Sequence, residues 1–384
     1  MRFIGAQQVF DGEDFLPNNS VLVLDKENIL KEIIRKDEIA EGKIEFLDGI
    51  VSPGFVNAHC HLELSHLKNK IPQRTGLPNF ARHVITQRNN FKQEEIFDAA
   101  KIADADMWSS GIVAVGDISN SNTSFKIKSE SAIHYHTFVE LVGFNPVQAE
   151  TTLNTGYTLL EELKTLKLTG SLAPHAPYSA STELIKRIST FNYRANLPFS
   201  IHNQESEDET LFFHAEENGF YNLYRFLNLD ISWFKAPKVS SLKNYAKFLN
   251  TNPSILVHNT YTELEDVKFV RGKNIYWCFC PGANLYIEGR LPNYTLFENI
   301  KKNHCIGTDS LASNTQLNLI DELNIILKNS RTFSLSELLR AITYNGSKAL
   351  NLDHNYGKLI VGKNVGLNQI KNHTTHLEFI KKIA

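Results

Sequence analysis

The sequence predicts an α/β protein, a (β/α)8 TIM barrel with a small discontinuous β-sandwich domain built from both chain ends. Three observations predict it. Eight short apolar runs alternate with helix-length periodic segments through the middle of the chain. The two ends have a different texture, short strand-like runs broken by Asp, Gly, Asn and Lys. The length, 384 residues, also exceeds the roughly 250 of a minimal barrel, so loops and an added piece must absorb the surplus.

Taken in order, residues 1–52 contain FIGAQQVF, SVLVLD, ILKEII and KIEFLD, which suit small strands and leave no room for a long helix. From 53 to 354 the candidate strands are GFVNAHCH, GIVAVGDIS, AIHYHTFVELVGF, LTGSLAPHA, LPFSIHNQE, PSILVHNTY, NIYWCFC and KNHCIGTDS. A helix near 334 is marked by a capping box, Ser334 with Glu337, ahead of LLRAITYNGSKAL. From 355 to 384 strands and turns return, so 1–52 and 355–384 form the sandwich and 53–354 the barrel. The run at 357–364 imitates a phosphate-binding loop. It carries Asn where Ser or Thr is needed, and no helix follows, so it reads as strand-turn-strand.

Composition narrows the function. Hydrophobic residues at 42% and charged residues at 21% support a full core. Forty Lys and Arg against 42 Asp and Glu leave no positive field for phosphate backbones or anionic lipid, so neither nucleic acid nor membrane is expected as a partner. MRFIGAQQVFDGED carries no apolar signal core or twin-arginine signal, and a cytoplasmic protein is expected. Cys60, Cys278, Cys280 and Cys305 form no C-x-x-C pair and read as buried, reduced thiols.

Barrel chemistry sits at the C-terminal ends of the strands, and there the polar residues gather. His59 and His61 end the first strand, Asp117 the second, His175 the fourth, His202 with Glu205 the fifth, His258 the sixth and Asp309 the eighth. Residues i and i+2 of a strand share a face, so His59 and His61 can bind one ion from one side. In a closed barrel the eighth strand lies beside the first, so Asp309 can face that ion while His202 approaches from the fifth. Three imidazoles and a carboxylate suit Zn(II), Fe(II) or Mn(II). His134 and His136 repeat the spacing near the start of a strand and read as structural. Asp117 and Glu140 are divided between a direct part in the site and supporting or barrel-packing roles. Glu63, Ser65 and His66 are divided between substrate contact and solvated surface. Phe212, Phe213 and Trp233 read either as an apolar wall or as core.

The motifs SPGFVNAHCHLELSHL (52–67), APHAPYSAS (173–181), SIHNQESE (200–207), LVHNT (256–260), CPGANLYIEGRLPN (280–293) and IGTDSLASN (306–314) together resemble the amidohydrolase superfamily, in its deaminase and chlorohydrolase branch. The resemblance implies metal ligands at His59, His61, His202 and Asp309, a proton shuttle at Glu205, and a catalytic histidine at His258. It also implies a substrate contact at His175, with Glu63, Asn284 and Ser310 as further contacts. LTGSLAPHA offers no strand-end lysine to bridge a second ion, so one divalent metal is implied, Zn(II) foremost. Gly282 and Ala283 depart from the branch's pattern ahead of Asn284.

The implied activity is hydrolytic deamination of an aminated purine-type base or nucleoside. NLYIEGRLP is most similar to the aminodeoxyfutalosine deaminases. Two alternatives stay open, hydrolysis of another bond (amide, cyclic amidine or carbon-halogen) and a non-catalytic homologue. Either enzyme reading implies a small-molecule substrate, and the oligomeric state stays open between monomer and homodimer.

Overall fold

The computed structural model describes the backbone of residues 1–384 and every side chain except those of residues 41 and 301. The N-terminal segment forms β1 (Arg2–Val9), β2 (Ser20–Leu24), β3 (Leu30–Arg35) and β4 (Ile44–Pro53). The barrel region supplies β5 (Phe55–Cys60), β6 (Ile112–Ser119), β7 (His134–Leu141), β8 (Thr169–Pro174), β9 (Phe199–Asn203), β10 (Ser254–His258), β11 (Ile275–Phe279) and β12 (His304–Ile306). The chain ends in β13 (Leu367–Asn372) and β14 (Leu377–Lys382).

All eight strands expected in the middle of the chain are present. They lie in two four-stranded parallel sheets, ordered β5-β6-β7-β8 and β9-β10-β11-β12. β5, β6, β9, β10 and β11 are buried along their whole length, as parallel strands covered on both faces must be. Hydrogen bonds tie the edges of the two sheets together. The amide of His202 donates to the His175 carbonyl (3.0 Å), and those of Thr308 and Asp309 donate to the His59 carbonyl (3.0 and 3.1 Å). Asn57 Nδ2 adds a bond to Thr308 Oγ1 at 2.7 Å. The C-terminal ends of β5, β9 and β12 are thus fixed against one another.

The eighth strand is shorter than its sequence suggests, three residues, because Gly307 must pass against β5. A Cβ there would lie 2.7 Å from His59 Cβ and 2.8 Å from the His59 carbonyl oxygen, a fit only glycine allows. The capped helix is present as Leu335–Ala341, with Ser334 Oγ accepting from the Glu337 amide.

The chain ends do meet, in one hydrogen-bonded six-stranded sheet ordered β14-β13-β4-β1-β2-β3. The β1–β4 pair is parallel and the other four pairs are antiparallel. Strands from both ends share its core, which includes Ile4, Leu22, Leu30, Val51 and Leu367. No described helix is long and apolar enough to cross a membrane.

Candidate active site and metal centre

His59 and His61 leave β5 on the same face, and β9 and β12 deliver His202 and Asp309 to meet them. His61 Nε2 lies 3.2 Å from His59 Nε2, 3.3 Å from His202 Nε2 and 3.4 Å from Asp309 Oδ1, and His59 Nε2 lies 3.5 Å from that oxygen. Four ligand atoms at 2.0–2.1 Å from a tetrahedral ion stand about 3.3–3.4 Å apart, so this spacing fits a zinc-type site. His258 offers a further nitrogen, since ligand atoms of His59, His202, His258 and Asp309 all fall within 4.8 Å of one another. His61 Nε2 joins the same cluster through its distances of 3.2, 3.3 and 3.4 Å to His59, His202 and Asp309.

The electrostatics suit a cation. Burial lowers His61 to about 3, outweighing the pull of Asp309, and burial with neighbouring imidazoles lowers His202 well below its usual range. Neutral imidazoles are the form that ligates. Burial alone would raise Asp309, but the hydrogen bond from His59 and the surrounding imidazoles hold it below the usual carboxylate range. The outer nitrogen of His202 is committed, because Nδ1–H donates to the His175 carbonyl at 2.8 Å, which leaves the Nε2 lone pair facing the cluster.

Glu205 and His258 stand beside this group, with His258 Nε2 3.5 Å from Glu205 Oε1. Burial first, and then the Asp309 charge, pushes the Glu205 carboxyl well above its usual value, which favours its protonated form. Burial lowers His258 to about 4, and its Nδ1–H donates to Asn284 Oδ1 at 2.8 Å. His258 and Asp309 adopt left-handed backbone (φ +76° and +57°), as does Gln204 (φ +47°). Such conformations are costly for residues with a Cβ and gather where side-chain aim matters.

These groups floor a cavity of about 250 Å³. His175 and Ser310 line it, as the sequence suggests. Glu63 and Asn284 stand one side chain back. Glu63 is buried, pairs with Arg88 at 3.2 Å and accepts from the amides of Asn120 and Ser121, so the solvated-surface alternative fails and Arg88 faces the cavity instead. Asn284 acts on His258. Phe212 and Phe213 are fully buried core, whereas Trp233 lies outside, 5.0 Å from the Phe144 ring. His136 is structural, bonding Ser171 Oγ at 3.0 Å.

Several residues escaped the sequence reading. The Leu77–Gln87 helix contributes Phe80 and Val84, and the Gly219–Phe226 helix contributes Leu223 and Tyr224, giving the cavity a largely apolar wall. Arg82 packs over Phe226, 4.2 Å from the ring centre, and joins the two helices. Glu209 receives the amides of Gln204 and Glu205 (3.1 and 3.3 Å), fixing the turn that aims Glu205. A Glu at the third position of the following helix, four residues after Glu205, was the available signal. Asp117 forms a buried pair with Lys128 at 2.5 Å, and its other oxygen accepts the Leu62 amide at 2.7 Å, immediately after His61.

Known proteins share this architecture. The chain is 26% identical over 354 residues to a 5'-deoxyadenosine deaminase from Methanococcus vannielii, covering 88% of this chain and 79% of that one. It is 27% identical over 330 residues to an adenosine deaminase from Helicobacter pylori, covering 84% and 79%. The crystal structure of Helicobacter pylori aminofutalosine deaminase in complex with methylthio-coformycin superposes with a TM-score of 0.81 at 23% identity, covering both chains in full (100%), and shows the shared fold. The description of the Amidohydrolase family matches residues 50–382, all of 53–354 and the returning strands, and the chain belongs to that family.

Proposed function

We propose that the protein is a metal-dependent hydrolase that removes the amino group of an aminated purine-type base or nucleoside. One observation carries the reading: a buried carboxyl, Glu205, stands 3.5 Å from His258 beside the converging His59, His61, His202 and Asp309. The apolar wall above them suits an aromatic heterocycle. The deaminase relatives support the same reading.

His59, His61, His202 and Asp309 would hold one divalent ion, and their nitrogen and oxygen donors at tetrahedral spacing favour Zn(II) over Fe(II) or Mn(II). When bound, such an ion supplies hydroxide-strength attack by water at neutral pH. Asp309 Oδ2 accepts from Ser313 Oγ (2.6 Å), which orients the carboxylate while Oδ1 faces the imidazoles and is placed to take the proton that water gives up. Glu205 delivers its proton to the heterocycle nitrogen, which makes the ring carbon electrophilic, and afterwards carries a proton to the departing amine. His258, fixed by its Nδ1–H bond to Asn284, turns the Nε2 lone pair toward Glu205 3.5 Å away, and after taking a proton there it meets the charge that develops at the reacting carbon's new oxygen. His175, Ser310 and Arg88 contact the rest of the substrate from the cavity wall.

The same reading takes 53–354 as a closed barrel, supported by the hydrogen bonds at both sheet edges. It takes 1–52 with 355–384 as a composite sandwich, supported by the shared core around Ile4 and Leu367.

Ammonia release across purine and nucleoside analogues, with Zn(II), Mn(II) and Fe(II) supplied separately, tests the activity. The expected result is ammonia from at least one adenine-type substrate. Ring opening or halide loss without ammonia would replace deamination by another hydrolysis.

A further inference from the structure

Glu140 ends β7 and faces the cavity, yet the chemistry above does not use it. It is only 5% exposed. Its two oxygens are unequal. Oε2 accepts from Asn120 Nδ2 at 2.9 Å, and the same amide also donates to the Glu140 carbonyl at 3.2 Å, which pins the carboxyl in one orientation. Oε1 is buried without a hydrogen-bond partner.

His202 Nδ1 stands 3.5 Å from Oε1, but that nitrogen spends its proton on the His175 carbonyl at 2.8 Å. A buried acceptor left without a donor costs roughly 1–3 kcal/mol. Among the described residues the oxygen has no donor, which leaves it open to one brought by a ligand. The cavity is where one can arrive, because Glu140, Asn120 and His175 line it together with the reacting groups. A charged ammonium donor is disfavoured, since Arg88 already places a cation on the same cavity. A neutral hydroxyl fits, and the buried, one-sided geometry can distinguish a ligand that has it from one that lacks it.

We propose that Glu140 binds a sugar hydroxyl of the substrate through Oε1, so that the site selects ribonucleosides with an intact 2',3'-diol over their deoxy counterparts. This rests on the nucleoside reading above. Asn120 acts through Glu140 by holding the carboxyl, and the bond is made to the part of the substrate that does not react.

The test uses the metal-loaded full chain, wild type and Glu140→Gln, with adenosine and 2',3'-dideoxyadenosine. The wild type is expected to favour adenosine in kcat/KM. The variant, near-isosteric and so expected to fold, should lose about 10- to 100-fold on adenosine, chiefly in KM, and less than about 3-fold on the dideoxy substrate. Zinc affinity, measured by competition with a chromophoric chelator, should not change. Equal losses on both substrates, or a parallel fall in zinc affinity, would overturn the proposal in favour of a role in holding His202. If the wild type deaminates neither nucleoside, calorimetric binding decides. A preference for adenosine that vanishes in Glu140→Gln would sink deamination and keep the hydroxyl contact, whereas equal binding would sink the contact.

Discussion

The cavity has two halves built in different ways. Its floor comes from the ends of parallel strands, and its polar groups are held by short bonds to the segments that follow neighbouring strands, as His202 is by the His175 carbonyl and His258 by Asn284. Its upper wall comes from two helices in the loops, and there Phe80, Val84, Leu223 and Tyr224 meet through packing alone, apart from the Tyr224 hydroxyl bonded to the Tyr178 carbonyl. Strand ends cannot shift without breaking a ladder, while loop helices can change side chains freely. In the proposed function the floor carries the reaction and the wall carries the choice of substrate.

The comparison breaks most visibly at Asp309. Asp309→Asn should lower kcat by at least about 10³-fold in the zinc-loaded protein, measured by ammonia release, because one residue serves as both ligand and proton acceptor. Comparable activity in that variant would remove the floor from the chemistry.

The floor's support should show in stability. Lys128→Met leaves Asp117 buried without its partner and should cost about 3–5 kcal/mol in urea unfolding. A conservative change on the wall should cost far less.

A pH-dependent term of similar size comes from Glu322, which braces the Gly282 amide (2.7 Å) and Asn314 Nδ2 (2.7 Å) behind Asp309. Burial raises its carboxyl from 4.5 to about 8 despite those two donors. The folded state therefore keeps a proton that the unfolded chain gives up. This contribution is fully present below 4.5 and is lost as pH rises through about 8, so unfolding free energy should fall across that window. Glu322→Gln should flatten the slope, and an unchanged profile would contradict the assignment.

The smallest effect belongs to the wall. Leu223→Ala should weaken binding of substrates that carry an apolar substituent by about 1–3 kcal/mol, read as a raised KM, with kcat little changed. A fall in kcat of similar size would mean that wall and floor are not separable.

This division also explains what the sequence made legible. His59, His61, His202, His258 and Asp309 were readable because strand periodicity and strand ends place them, and β5, β9, β10 and β12 lie where the apolar runs put them. Arg88, Phe80 and Leu223 were not, since they reach the cavity from loop helices whose placement depends on distant contacts such as Arg82 over Phe226 and the Leu77 amide on Glu288. Glu63 misled for a related reason. A charged residue in a loop suggests solvent, and only the fold shows Arg88 and Ser121 covering it. The terminal segments were recognised as strands that join, but their single-sheet order depends on long-range pairing of β4 with both β1 and β13, which no local pattern records.

The most direct test of the central claim is turnover of adenosine by the zinc-loaded protein in ¹⁸O-labelled water, followed by mass spectrometry. Hydrolytic deamination at the floor predicts one ammonia released and one labelled oxygen incorporated at the former amino position per turnover, both lost in Glu205→Gln. An unlabelled product, or labelled product formed equally by Glu205→Gln, would contradict it.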